Sequence, residues 1–406
     1  MTFISLKDAN GKVFALASPE SDRGDPLTVL VRVPLPLGAG RYTVAWRTAA
    51  SDGHPSHGTF SFVVLANTVP PANGLVPQAG ATDTVAPGIA AAASSTSSES
   101  TEEADEASSV SNSLARAFSF FGLLVLIGAT TFRMLVLPRS VEINTELRAR
   151  MERRAAILGL AASVLVILSA LARIHLESEM MSAMPGMQTM GMMDMAMHTR
   201  WGFALRLELA AALVALVSFG LAMRRLRGAW LVATISAIVL AVTPALAGHA
   251  AASPRFTSLM IASDFLHVLG ASSWLGSLFA VLIVGIPVSF ALNGAERWSS
   301  VASLVNSFSP LALASASVVV VSGLIASWVH LEHLSALWRT AYGQTLLIKL
   351  ALVATTLMVG AYNFRRVQPQ LVSEEGTARL RRSASVELLV GSLIIVVTGF
   401  LTGIAP

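Results

Sequence analysis

The densest chemistry in this chain is sulfur. Between Ser178 and Arg200 the run SEMMSAMPGMQTMGMMDMAMHTR holds nine of the 15 methionines. Met181, Met184, Met187, Met190 and Met193 form four overlapping Met-x-x-Met spacings, and Met195 and Met197 follow in alternation. A thioether is a soft, neutral ligand that prefers Cu(I) to hard cations and keeps working in an oxidising compartment where thiolates are lost. His175 and His198 flank the run and add imidazole nitrogen. The plainer reading is an apolar interfacial stripe, since Met180, Met184, Met187, Met190, Met193 and Met197 recur at helical spacing. Pro185, Gly186 and Gly191 interrupt such a helix, and Leu would serve a plain stripe equally well. The run is expected to capture copper.

The chain has no cysteine, which excludes disulfides, thiolate metal sites and cysteine nucleophiles and leaves soft-metal chemistry to Met and to 8 His. Near the N-terminus, WRTAASDGHPSHG places Asp52 and His54 two apart in a turn, with His57 three further on. Imidazole plus carboxylate suits Cu(II) or Zn(II), although Asp-Gly is also an ordinary turn signature. Further along, Asp264 and His267 lie three apart on one helical face, which Met260 and Trp274 continue, and His249, His330 and His333 end other apolar segments.

The elements that must position these groups belong to a membrane protein. Hydrophobic residues make up 54% of the chain and charged residues only 13%, about half the charge of a soluble domain. The 25 arginines sit between apolar runs and form no stripe for nucleic acid, so they read as topology signals. Residues 1–65 are expected to be β structure, with strands near Leu27–Val33, Arg41–Arg47 and Gly58–Val64. Residues 66–113, rich in Ala, Ser, Thr, Pro and Gly with an acidic patch, read as a linker. From Leu114 onward eight runs are long enough to cross a hydrocarbon core: 114–137, 155–175, 201–223, 229–249, 258–290, 305–330, 344–364 and 384–403. The fifth exceeds one crossing, predicting tilt or a kink near Pro287.

Arginine fixes the expected orientation. Loops 138–154, 224–228, 291–304 and 365–383 hold fourteen arginines, and the alternate loops hold only Arg200, Arg255 and Arg339. The first set is therefore expected in the cytoplasm, with both termini and the β domain outside the cytoplasmic membrane. An exported domain ordinarily follows a signal peptide, whereas Met1-Thr2-Phe3-Ile4 already reads as strand; a late start or a shortened domain is expected. This topology puts all six histidines of the membrane region, the Met-rich loop 178–200, Asp264 and Met260 at or near the extracytoplasmic side. Arg206, Glu208 and Lys349 fall at comparable depth, and Glu387 lies toward the cytoplasmic end of the last span. Ionisable groups inside spans are costly enough to count as functional candidates, against the ordinary alternative of polar ties between helices.

A resemblance sharpens these expectations. The string WRTAASDGHPSHGTFSFVV resembles the C-terminal part of the CopC family, periplasmic copper-binding proteins with a cupredoxin-like β-sandwich. DFLHVLGASSWLGSLFA, FSPLALASASVVVVSGLIAS, LWRTAYGQTLLIKLALVATTLMVGAYNF and RSASVELLVGSLIIVVTGFLT resemble the copper resistance CopD family, and the whole chain looks like a CopC–CopD fusion of the YcnJ kind. The resemblance implies that Asp52 and His54 match the family's Cu(II) ligands, whose remaining partner is an N-terminal histidine absent here along with the first strands. The β-sandwich is thus expected to cover roughly the last two-thirds of the family domain, and its copper site to be incomplete unless His57 substitutes or the true start lies upstream. In the CopD part the matching polar residues are Asp264, His267 and Lys349.

The expected protein is a mainly α-helical multi-pass membrane protein that moves copper, most simply inward, with no enzymatic activity. No phosphate-cradling G-x-x-x-x-G-K-[ST] loop occurs, so no nucleotide is expected. Copper ions, membrane lipid and a periplasmic copper chaperone are the expected partners, with Cu(I) at the Met and His sites and Cu(II) at the β domain. Two other readings stand beside it: a membrane-anchored copper sink or sensor, and a haem-binding redox protein using His249 or His267 with His330.

Overall fold

A computed structural model of the chain describes residues 2–22, 28–33, 36–49, 55–65, 98–141, 143–182, 197, 199–248, 256–330, 335–371 and 373–403. Two compact units result, Met1–Glu102 and Glu103–Pro406.

In the first unit β1 (Thr2–Asp8), β2 (Val13–Phe14), β5 (Gly40–Ala49) and β6 (Pro55–Val64) form an antiparallel sheet in the order β2-β1-β5-β6. A ribbon of β3 (Glu20–Ser21) and β4 (Val29–Leu30) stands apart from it. Alternation in Arg41–Arg47 and Gly58–Val64 produces the long hairpin, in register from Gly40 opposite Val64 to Ala49 opposite Pro55. Tyr42 anchors the small core: its ring stacks on Phe62 at 5.6 Å and meets the Phe14 edge at 5.7 Å, and its hydroxyl donates to the Gly38 carbonyl at 2.9 Å. An apolar cavity of 440 Å³ separates the sheet, through Trp46, Phe60 and Phe62, from Val29, Val31 and Val33.

The second unit contains eight helices long and apolar enough to cross a membrane: Val110–Arg139, Thr145–Glu179, Arg200–Met223, Ala229–Ala247, Thr257–Ser289, Gly294–Val329, Ala341–Gln370 and Glu374–Leu401. All eight expected spans are present, most with polar extensions. The helix of the first span starts at Ser98, so the last part of the expected linker is helical. Glu and Ala are good helix formers there, and acidic groups suit a helix N-terminus. Local signals set other starts. Thr199, Thr340 and Ser373 each cap a span by accepting from the backbone N–H three residues on, at Gly202, Gly343 and Gly376.

The fifth span is irregular just before Pro287 and at a second place one to two turns earlier. It alternates α-helix with π-helical turns at Ser272–Gly276 and Val281–Gly285, the second ending two residues before Pro287, which lies in the first turn of the last segment. Its backbone touches the first span: a Cβ on Gly276 would lie 2.0 Å from the Leu124 carbonyl oxygen, and one on Gly128 would lie 2.1 Å from the Gly276 backbone. Only glycine fits at both positions. The first and fifth spans are accordingly the interior of the unit, their most apolar stretches 72% and 67% buried, against 11% for the seventh. Further π-helical turns occur at Phe132–Val136 and Asn363–Val367.

Candidate metal-conducting site

Three polar groupings are built into the helical unit. The first lies where the fifth, sixth and seventh spans meet, toward the arginine-poor end. At 1.5 Å rise per residue, Asp264, Lys349 and His267 lie roughly 10–15 Å along their spans from that end. Ser263 Oγ donates to the Ser322 carbonyl at 3.0 Å, and His267 Nδ1 pairs with Ser322 Oγ at 3.0 Å. One turn of the fifth span thus clasps one residue of the sixth. Gly270 lets the two helices approach, since a Cβ there would lie 3.1 Å from the Ser315 carbonyl oxygen.

Ser322 Oγ also donates to the Val318 carbonyl at 2.7 Å. A hydroxyl has one proton, so with that proton committed within its own helix Ser322 accepts from His267 Nδ1–H. This tautomer leaves the Nε2 lone pair for another partner. Lys349 acts electrostatically on His267 and on Asp264, and Asp264 acts on Tyr342. Met260, one turn before Asp264, is fully buried. The grouping therefore brings an imidazole, a carboxyl and a lysine side chain within electrostatic reach of one another, with a thioether one turn before the carboxyl on the same helix.

The second grouping ties the first three spans together at the same end. Glu208, 4% exposed, accepts from Arg173 Nη2 at 2.9 Å and from Ser119 Oγ at 2.8 Å. Asn112 Nδ2 reaches Glu177 at 3.5 Å. Every charge here has a partner, which makes this a structural clamp. Arg206 instead points to the Met-rich loop, donating to Met197 Sδ at 3.3 Å.

The third grouping lies deeper. Glu387, 3% exposed, accepts from Trp274 Nε1 of the fifth span at 3.0 Å and from Asn363 Nδ2 of the seventh at 3.1 Å. Trp274 is seven residues beyond His267, roughly 10 Å along the helix.

The expected ligands divide between described and undescribed residues. Asp264, His267 and Met260 come from one helix, and Lys349 joins them. His175 is exposed and lies 3.4 Å from Glu179, one turn on. His57 stands in β6 opposite Arg47, with its side chain outside what is described. The side chains of Met181 and His330 are likewise outside it, although both residues are helical. Asp52, His54, Met184, Met187, Met190, Met193, Met195, His198, His249 and His333 lie outside the described residues. Among the described residues no group of three or more His, Cys, Asp or Glu is placed to hold a metal. Ser322, Asn363 and Arg173 were not singled out in the sequence. Arg173 interrupts an apolar run and was visible as such; serine and asparagine are common in spans and carry no comparable mark.

The fold and these groupings define a multi-pass membrane protein with a small N-terminal β unit. The chain matches the CopC domain over residues 1–65, the copper resistance protein D-like N-terminal domain over 107–254 and copper resistance protein D over 302–401. It is thus a CopC–CopD fusion and stands among the copper transport and resistance proteins. It is 24% identical over 410 aligned residues, 99% of this chain and 68% of the relative, to the copper transport protein CutJ of Bacillus subtilis. A 50-residue stretch, 12% of this chain and 40% of the relative, is 42% identical to copper resistance protein C of Pseudomonas syringae pv. tomato. No solved structure matches the chain.

Proposed function

We propose that the protein carries copper across the cytoplasmic membrane, inward, through the fifth, sixth and seventh spans. The observation that carries this reading is the clasp of His267 by Ser322, which holds a histidine inside the helical unit with Nδ1 turned to Ser322, within electrostatic reach of Lys349, which also interacts with Asp264. A buried metal-binding nitrogen costs desolvation and ordering, and a helix tie alone would be served by a second serine.

The Met-rich loop and the β unit collect the ion outside, Met184 to Met197 as Cu(I) ligands and Asp52, His54 and His57 as a Cu(II) site; a periplasmic chaperone is a natural donor. The concentration of arginine in alternate loops supports a cytoplasmic position for those loops and termini outside. Copper then reaches Met260, Asp264 and His267, and the positive charge of Lys349 stands in for the metal beside Asp264 when the metal has left. An inside-negative potential favours a monovalent cation moving inward by roughly 2.3 kcal/mol per 100 mV. CutJ, the relative matched over nearly the whole of this chain, is named a copper transport protein, which supports the same reading.

Radioactive copper uptake into sealed proteoliposomes, with protein orientation determined, tests it. Accumulation above protein-free vesicles, greater with reductant and lost in His267→Ala at equal protein incorporation, is the expected result. Stoichiometric binding to the outside without entry into the lumen would show a membrane-anchored copper sink instead.

A further inference from the structure

The Glu387 grouping differs in kind from the proposed copper path. Its carboxylate, 3% exposed, has two hydrogen-bond partners, both neutral: the Trp274 indole at 3.0 Å and the Asn363 amide at 3.1 Å. No ion pair to Glu387 occurs among the described residues, in contrast to Glu208, which has Arg173 at 2.9 Å. Two neutral donors do not compensate a carboxylate charge removed from water. The amide contributes a further anomaly, since Asn363 Oδ1 is buried without a hydrogen-bond partner. An oxygen left this way asks for a donor or a cation.

Two features of the backbone bear on the same point. Trp274 lies in the π-helical turn Ser272–Gly276, and Asn363 opens the π-helical turn Asn363–Val367. Both partners of Glu387 are thus aimed by distortions that cost helix stability and that recur at functional sites. Beside the carboxylate there is also room: a Cβ added to Gly360 would meet Glu387 Oε1 at 3.7 Å and Trp274 Cζ2 at 3.8 Å, ordinary contact distances.

The groups facing the carboxyl are Trp274 from the fifth span and Asn363 and Gly360 from the seventh. Of the charged groups on these elements, Asp264 and His267 lie two to three turns away on the fifth span and Lys349 about three turns from Gly360 on the seventh. Arg365, Arg366, Arg381 and Arg382 are exposed. The sixth span's Glu296 and Arg297 sit at its arginine-rich end, the end toward which Glu387 lies, and Arg297 and Arg381 both pack on the Phe290 ring, at 5.5 and 5.7 Å.

Carboxylate and amide oxygens are hard ligands, poorly matched to Cu(I) and well matched to small hard cations. We propose that Glu387, with Asn363 Oδ1, is a binding site for a small hard cation, a proton or an alkali ion, whose movement is coupled to copper movement past His267. The coupling rests on the copper-transport reading; the site itself does not.

The experiment therefore begins without copper. Full-length protein in proteoliposomes is titrated with protons and, separately, with Na⁺ at fixed pH, and infrared difference spectra follow the carboxyl region. A carboxyl band that responds to one of the two ions, is missing in Glu387→Gln and is shifted in Gly360→Ala is the expected result, and the responding ion names the cargo. No Glu387-dependent band with either ion overturns the proposal. Copper uptake is then measured at zero membrane potential with an imposed pH or Na⁺ gradient. The gradient of the responding ion should change the wild-type initial rate several-fold, while Glu387→Gln keeps downhill flux but ignores the gradient. A wild-type rate indifferent to both gradients, or a Glu387→Gln rate that responds as wild type does, overturns the coupling. Absence of any copper flux in the wild type would sink the transport reading and leave the infrared result to judge the site.

Discussion

Two buried glutamates in the helical unit have opposite surroundings. Glu208 sits among the first three spans with a guanidinium at 2.9 Å and a hydroxyl at 2.8 Å. Glu387 sits between the fifth, seventh and eighth spans with an indole and an amide and, among the described residues, no cation. Both are almost entirely removed from solvent. The same side chain is in one place half of a closed ion pair and in the other an acceptor with charge to spare. Spans one to three thus hold a closed polar tie, and the fifth, seventh and eighth an open one, which is where the proposed ion sites lie.

The largest effect should come from breaking the closed pair. Glu208→Ala leaves Arg173 buried and uncompensated and should cost about 3–5 kcal/mol, seen as a large drop in the thermal unfolding midpoint in detergent. Replacing both partners, Glu208→Leu with Arg173→Met, should recover most of that loss; an additive double variant would show that the two do not form one unit. Next in size is Gly276→Ala. Its methyl group would collide with the Leu124 carbonyl and push the first and fifth spans apart, costing about 1–3 kcal/mol or more by the same assay. Because Trp274 is two residues away, this variant should also disturb Glu387 more than Glu208.

Smaller still is Ser322→Ala, which frees His267 Nδ1 without touching Nε2. Loss of one hydrogen bond, about 1 kcal/mol, should lower copper uptake roughly fivefold with little change in the unfolding midpoint. Unchanged uptake would mean that the clasp does not orient the imidazole. The smallest effect on stability belongs to Glu387→Gln, expected at under about 1 kcal/mol: a glutamine still accepts from Trp274, and the Asn363 amide can turn to accept from it. A loss comparable to that of Glu208→Ala would make the two glutamates alike after all and remove the contrast.

Much of this architecture was legible beforehand. Eight apolar runs announced eight spans because hydrocarbon admits little other than a hydrogen-bonded helix of about 20 residues. The hairpin of β5 and β6 followed from its alternating Val, Tyr, Phe and Trp residues. Asp264, His267 and Met260 declared their shared face through spacing on one helix. The acidic stretch before the first span did not read as helix, because its local propensity was outweighed by the Ser, Pro and Gly around it. The fifth span is irregular near Pro287, as expected, with a π-helical turn at Val281–Gly285, but the second one at Ser272–Gly276, where the span packs on Gly128 of another helix, had no mark in the sequence.

The sequence by itself determined the number of spans, the β hairpin, the arginine asymmetry between the two ends and the concentration of soft ligands near one of them. Each depends on composition or on periodicity within one element. Tertiary structure alone decided that Ser322 orients His267, that Arg173 neutralises Glu208 and that nothing among the described residues neutralises Glu387. A buried charge is settled by whatever lies a few ångströms away, and those neighbours come from helices 24 to 113 residues distant along the chain.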